Sequence, residues 1–111
     1  MTHLIFDKQT ERFNLLFAIY KRSNANPEMS FNMRDLASQH GLGYHAFRSA
    51  YEYLISEELM KPRYYTGGSG DAQDSHFYAS ITTKGMNAIE EVFKNPHEDS
   101  TYFPAHNRMM F

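Results

Sequence analysis

Apolar residues at Phe13, Leu16, Phe17 and Tyr20 keep the i, i+3, i+4, i+7 spacing of one helical face, and Leu15 and Ile19 widen that stripe. Asp7 is the expected N-cap, because a carboxylate there accepts hydrogen bonds from amide protons left unpaired in the first turn. Lys21 and Arg22 suit the negative end of the helix dipole. Ser23-Asn24-Ala25-Asn26-Pro27 then ends the pattern, since proline also restricts the residue before it. Met29-Ser30-Phe31 alternates as a short edge strand. Asn32 with Asp35 three residues on predicts the capped start of a brief helix through Leu36 and Ala37 to His40, with Gly41 just past its end. After the Gly41-Leu42-Gly43 turn the spacing predicts another helix, from about Tyr44 to Glu58. Phe47, Ala50 or Tyr51, and Leu54 face inward, and Leu59 and Met60 close it.

At Pro62 the period changes from helical to alternating. Tyr64-Tyr65-Thr66 has strand composition, and Gly67-Gly68-Ser69-Gly70-Asp71 reads as a flexible loop. His76 to Ile81 alternates again, with Phe77, Ala79 and Ile81 expected inward and Tyr78 and Ser80 outward. Together these segments predict a hairpin with a long tip. Thr82 caps a last helix whose buried stripe is Met86, Ile89 and Val92/Phe93, and Asn95-Pro96 stops it. The expected organisation is one domain over 1–96 and a tail over 97–111.

The fold class is therefore α+β, mainly α, in the order helix, short strand, helix, tight turn, helix, hairpin, helix. Over roughly residues 7–94 this order resembles the winged helix-turn-helix superfamily. Three stretches carry the resemblance: Phe31-Asn32-Met33-Arg34-Asp35-Leu36-Ala37, Tyr53-Leu54-Ile55-Ser56-Glu57-Glu58-Leu59-Met60, and Phe77 to Gly85 ending Ile81-Thr82-Thr83-Lys84-Gly85. Two departures stand out. Glu58 occupies a position where many relatives have glycine, so that helix end needs another way to turn. Gly43-Tyr44-His45 lacks the Ser/Thr cap usual at the start of the recognition helix.

The resemblance implies binding to double-stranded DNA, with the third helix in the major groove and the wing beside the backbone. Carried onto this chain, it makes Tyr44, His45 and Arg48 the base-facing candidates, with Ser49 and Glu52 one turn on. Arg48 has the donor pair for a guanine edge. Arg34, Lys61, Arg63 and Lys84 become the phosphate contacts, and Arg12, Lys21 and Arg22 add positive charge on the first helix. Arg48 and Glu52 are also spaced as an i, i+4 ion pair.

Composition adjusts this picture. The 111 residues are enough for one core. A formal net charge of -2 removes any argument from global basicity, and the tip between Tyr64 and Ile81 carries Asp71 and Asp74 with no Lys or Arg. An acidic tip opposes the phosphate neutralisation that supplies most nonspecific affinity. A winged-helix module for protein–protein contact or assembly is accordingly the alternative function. With no Cys, disulfides, thiolate nucleophiles and cysteine-bound zinc are excluded. No membrane span or signal segment is read, and a cytoplasmic location is expected.

Seventeen aromatics (8 Tyr, 9 Phe) and 7 Met exceed what a small core absorbs. Much of the excess lies in Leu4-Ile5-Phe6 and in Tyr102, Phe103, Met109, Met110 and Phe111. Three uses stay open for these ends: a homodimer interface, which in a two-fold dimer would pair two recognition helices, folding back on their own domain, or, for the tail, a linker-like continuation into something larger. His40 and His45 flank a turn, and the chain has no His-x3-His or His-Glu-x-x-His spacing, so no metal site is expected. The glycine-rich loop is followed by a strand and lacks a Lys-Ser/Thr pair, unlike a phosphate cradle. No enzyme, cofactor or effector ligand is read from these residues.

Overall fold

The first apolar stripe folds as α1, Thr2–Arg22, and it buries Phe13, Leu15, Leu16 and Ile19. The computed structural model describes residues 2–63, 77–94 and 100–106, with side chains from Leu4 on. The strand expected at Tyr64-Tyr65-Thr66, the glycine-rich tip with Asp71 and Asp74, the stop at Asn95-Pro96, and Met109, Met110 and Phe111 lie outside these residues. Asp7 is not the cap: α1 begins five residues earlier and Asp7 is an exposed position within it.

Strand β1, Ser30–Asn32, leads directly into α2, Met33–Gln39. Asn32 caps α2 as its type and position require, its Oδ1 accepting from the backbone N–H of Arg34 at 3.0 Å and of Asp35 at 3.2 Å. Gly41 follows at φ +75°, the left-handed turn that glycine adopts without a Cβ penalty. Helix α3, Tyr44–Ser56, buries Phe47, Ala50, Tyr51 and Leu54, and Leu36 and Ala37 of α2 are also buried. Ala50 and Tyr51, alternatives in the sequence, both face inward.

Glu58 makes the turn at the end of this helix, where glycine is the expected residue, by taking φ +63° itself. That conformation costs an L-residue roughly 1–2 kcal/mol. Part of the offset comes from Thr82, whose Oγ1 donates to the Glu58 carbonyl at 2.7 Å. The chain then enters β2, Met60–Pro62, and returns through β3, Tyr78–Ile81. Pro62 sits on an edge strand, where its missing N–H breaks no ladder.

The sheet is antiparallel throughout, in the order β1-β3-β2. Ser80 of β3 stands opposite both Ser30 and Lys61. The outward assignment of Ser80 is overturned: it is buried, because Arg63 closes over it and donates from Nε to Ser80 Oγ at 3.0 Å. Tyr78, also expected outward, is half-buried.

Helix α4, Thr83–Lys94, starts at the Thr82 cap, where Thr82 Oγ1 accepts from the Gly85 N–H at 2.9 Å. Ile89 and Val92 are buried as the stripe predicts, together with Ala88. Phe93 is not: 49% of it is exposed. The three helices α1, α3 and α4 close over the sheet on Leu16, Ile19, Leu54, Leu59, Ile81, Ile89 and Val92, each fully buried. Each such side chain contributes roughly 1.5–3 kcal/mol relative to exposure. The result is a small, mainly helical α+β domain with a helix-turn-helix-like unit followed by an antiparallel hairpin.

Candidate nucleic-acid interface

Burial of Phe47, Ala50, Tyr51 and Leu54 fixes the rotation of α3 and turns Tyr44, His45, Arg48 and Glu52 to solvent. Gly43 begins the helix with no side-chain cap, as its missing hydroxyl requires. Tyr44 is 43% exposed, and its ring meets His45 edge-on at 5.7 Å. Arg34, one helix back, places its guanidinium 5.1 Å from the Tyr44 ring. Ser49 is half-buried at the margin of this face.

Arg48 is the most tightly held member. Its Nη2 donates to Glu52 Oε1 at 2.6 Å, its Nε donates to the same oxygen at 3.3 Å, and its Nη1 donates to Tyr44 Oη at 3.2 Å. The hydrogen bond to Glu52, then that to Tyr44, raises the guanidinium pKa further above its ordinary range. The i, i+4 ion pair legible in the sequence is therefore formed. The Arg48 guanidinium carbon lies 5.9 Å from the Phe77 ring centroid, and Phe77 in turn packs edge-on against Phe47 and Tyr51.

The other basic candidates form a second group. Lys61 and Lys84 line one shallow cleft beside β2 with Met60, Pro62 and Thr82, and Lys61 and Arg63 line another with Glu28 and Ser30. Arg63 is half-buried through its Ser80 bond, which sequence reasoning missed because Ser80 was read as a surface position. Lys84 is held by Tyr102, whose hydroxyl hydrogen bond raises the ammonium pKa. Residues 84 and 102 share no sequence signal that could have joined them. Arg12 is spent within the fold, its guanidinium 4.0 Å from the Tyr53 ring centroid.

The apolar ends divide. Leu4 and Ile5 are exposed by 56% and 49%, whereas Phe6 is half-buried and stacks on His106 at 6.1 Å. Tyr102 is half-buried beside Lys84, and Phe103 is fully buried in the core of its own chain. Between α1 and α4 runs an open groove of about 550 Å³, lined by Phe17, Tyr20, Ile89, Glu90, Phe93 and Lys94. Tyr20 donates to Glu90 Oε2 across it at 2.9 Å, which raises the tyrosine pKa.

Among the described residues no group of three or more His, Asp or Glu side chains could hold a metal ion. No helix among them is long and apolar enough to cross a membrane. No family model, curated protein or solved structure matches the chain.

Proposed function

We propose that the chain is a winged-helix DNA-binding protein that acts in the cytoplasm as a dimeric transcriptional regulator. The observation that carries this reading is the solvent-facing first half of α3, where Tyr44, His45 and Arg48 stand together behind the short capped α2. A helix presented in this way can enter a major groove with its N-terminal residues on base edges. Arg34 would anchor a phosphate on one side, with Lys61 and Arg63 by the hairpin on the other. The role is one of binding, with no catalytic step assigned.

The two cationic groups predict different losses. Arg48→Ala should weaken binding to a selected duplex by roughly tenfold to a hundredfold while leaving weak nonspecific binding nearly unchanged. Lys61→Ala should lower affinity for all duplexes alike and reduce the slope against salt by about one. Fluorescence titrations at several salt concentrations separate them. Absence of any salt-sensitive binding to duplex DNA at low ionic strength by the unmodified chain would end this reading.

The groove between α1 and α4 favours a second reading, a module for protein–protein contact without DNA. Phe17 and Phe93 present their rings there 5.2 Å apart, with Phe93 half exposed. Both readings use a second copy at this face or at Leu4 and Ile5, so oligomeric state does not separate them. Phe93→Glu should convert a dimer to a monomer in light scattering, since a buried unpaired carboxylate opposes association. If only the assembly role holds, the dimer forms and the DNA titration stays flat. An unmodified chain that scatters as a monomer would overturn the dimer under either reading.

A further inference from the structure

Resting on the DNA-binding reading, we infer that Glu52 is the specificity-determining positioning residue of the α3 face, presenting Arg48 to a guanine edge and disfavouring contact with bare phosphate. A guanidinium carries five N–H groups. Glu52 and Tyr44 occupy one on Nε, one on Nη2 and one on Nη1. One N–H remains on each terminal nitrogen. Guanine offers O6 and N7 as adjacent acceptors in the major groove, which is the pairing those terminal donors satisfy.

An exposed arginine on an isolated helix samples many rotamers, and binding must then order it. Here the ordering precedes binding, because the side chain is gripped from one helical turn on either side, by Tyr44 four residues before it and Glu52 four residues after. The same carboxylate changes what the face accepts. Glu52 keeps 62% of its side chain exposed, and its Oε2 accepts no hydrogen bond among the described residues. A base amino group, such as cytosine N4, suits that oxygen, whereas a phosphate oxygen is repelled by it. The carboxylate beside Arg48, a weakness for nonspecific adhesion, becomes discrimination against it.

The test uses the full chain and a pool of short randomised duplexes, with bound molecules sequenced after selection. Arg48→Ala identifies the base column that Arg48 reads. Glu52→Ala should reduce guanine preference in that column about tenfold, the size of one lost bidentate contact. It should also raise retention of the unselected pool at low salt. Glu52→Gln keeps an acceptor for Arg48 and removes the charge, so it should raise unselected retention and preserve the guanine preference. A Glu52→Ala chain that enriches the same motif with undiminished guanine preference overturns the inference and leaves the DNA reading standing. An unmodified chain that enriches no duplex removes both.

Discussion

Gly85→Ala is expected to destabilise the domain by about 2 kcal/mol or more, although alanine is the better helix former. Helix propensity alone would favour the alanine by about 1 kcal/mol. A Cβ at residue 85, however, would overlap the Leu59 carbonyl oxygen and approach Ile81 Cγ1 to 3.0 Å. The first obstacle is backbone, so it cannot swing aside as the end of a long side chain could. That carbonyl also accepts from the Thr82 N–H at 3.2 Å, and Thr82 supplies both the cap of α4 and the bond to strained Glu58. Moving α4 outward would loosen all three. Overpacking a close contact costs typically 1–3 kcal/mol and occasionally more, which exceeds the propensity gain. At roughly 4–8 °C per kcal/mol for a domain of this size, the melting temperature should fall by about 10 °C. A variant that melts within a degree or two of the original would show that α4 can shift without loss.

Features governed by neighbouring residues are readable in the sequence. Asn32, Gly41 and Thr82 stop or start helices by local chemistry, and each does so where its type predicts. The buried faces of α3 and α4 follow from period alone for Phe47, Leu54, Ile89 and Val92. Failures came where a distant partner decides. Asp7 looks like a helix start because a carboxylate is a good N-cap. Yet Gln9, Thr10 and Phe6 are engaged by residues 105 and 106, nearly a hundred positions away. Ser80 looked solvent-facing because alternation says nothing about an arginine folding over a central strand. Phe93 reads as core beside Val92, but Ala88, Ile89 and Val92 already make up the inward face of the helix, and Phe93 lies at the edge of that face, 49% exposed.

The α3 face was legible for a related reason: once the inward residues are known, the outward ones follow. The outward placement of Tyr44, His45 and Arg48 needs only the helical period, whereas their choice as base-facing candidates rests on the resemblance to winged-helix domains. The i, i+4 spacing also announces the Arg48–Glu52 pair, but not that Tyr44 would join it and leave one N–H on each terminal nitrogen of the guanidinium. That arrangement depends on rotamers, which spacing does not encode.

Phe103→Ala should have the largest effect of all, detaching residues 100–106 from α1 and α4 and costing about 3–5 kcal/mol, the usual loss for a buried phenylalanine. Phe103 is fully buried and meets the Phe13 ring edge-on at 5.5 Å. The remaining hold is the His106 ring stacked on Phe13 and a set of hydrogen bonds. Glu91 accepts from the Thr101 N–H at 2.6 Å, and Gln9 Oε1 accepts from the N–H groups of Ala105 at 2.8 Å and His106 at 3.3 Å. At a net contribution of roughly 1 kcal/mol each, these bonds cannot replace the ring. Amide exchange in residues 101–106 should therefore accelerate strongly in the variant.

The same segment carries a pH dependence of defined sign. His106 stacks on Phe13 at 4.4 Å with Nδ1 2.9 Å from Thr10 Oγ1, and burial lowers its pKa below the ordinary 6.5. The docked state thus binds fewer protons than the unfolded chain. Its contribution is fully present above about 6.5 and is lost as pH falls from there through the docked pKa. His106→Gln should flatten the difference in urea midpoint between about pH 7.5 and about pH 5, windows that bracket ordinary histidine titration. If the unmodified chain and His106→Gln lose stability in parallel over that range, the histidine is not the group that titrates. In that case the docking of the segment carries no pH dependence from His106, and the Phe103→Ala loss should be the same at both pH values.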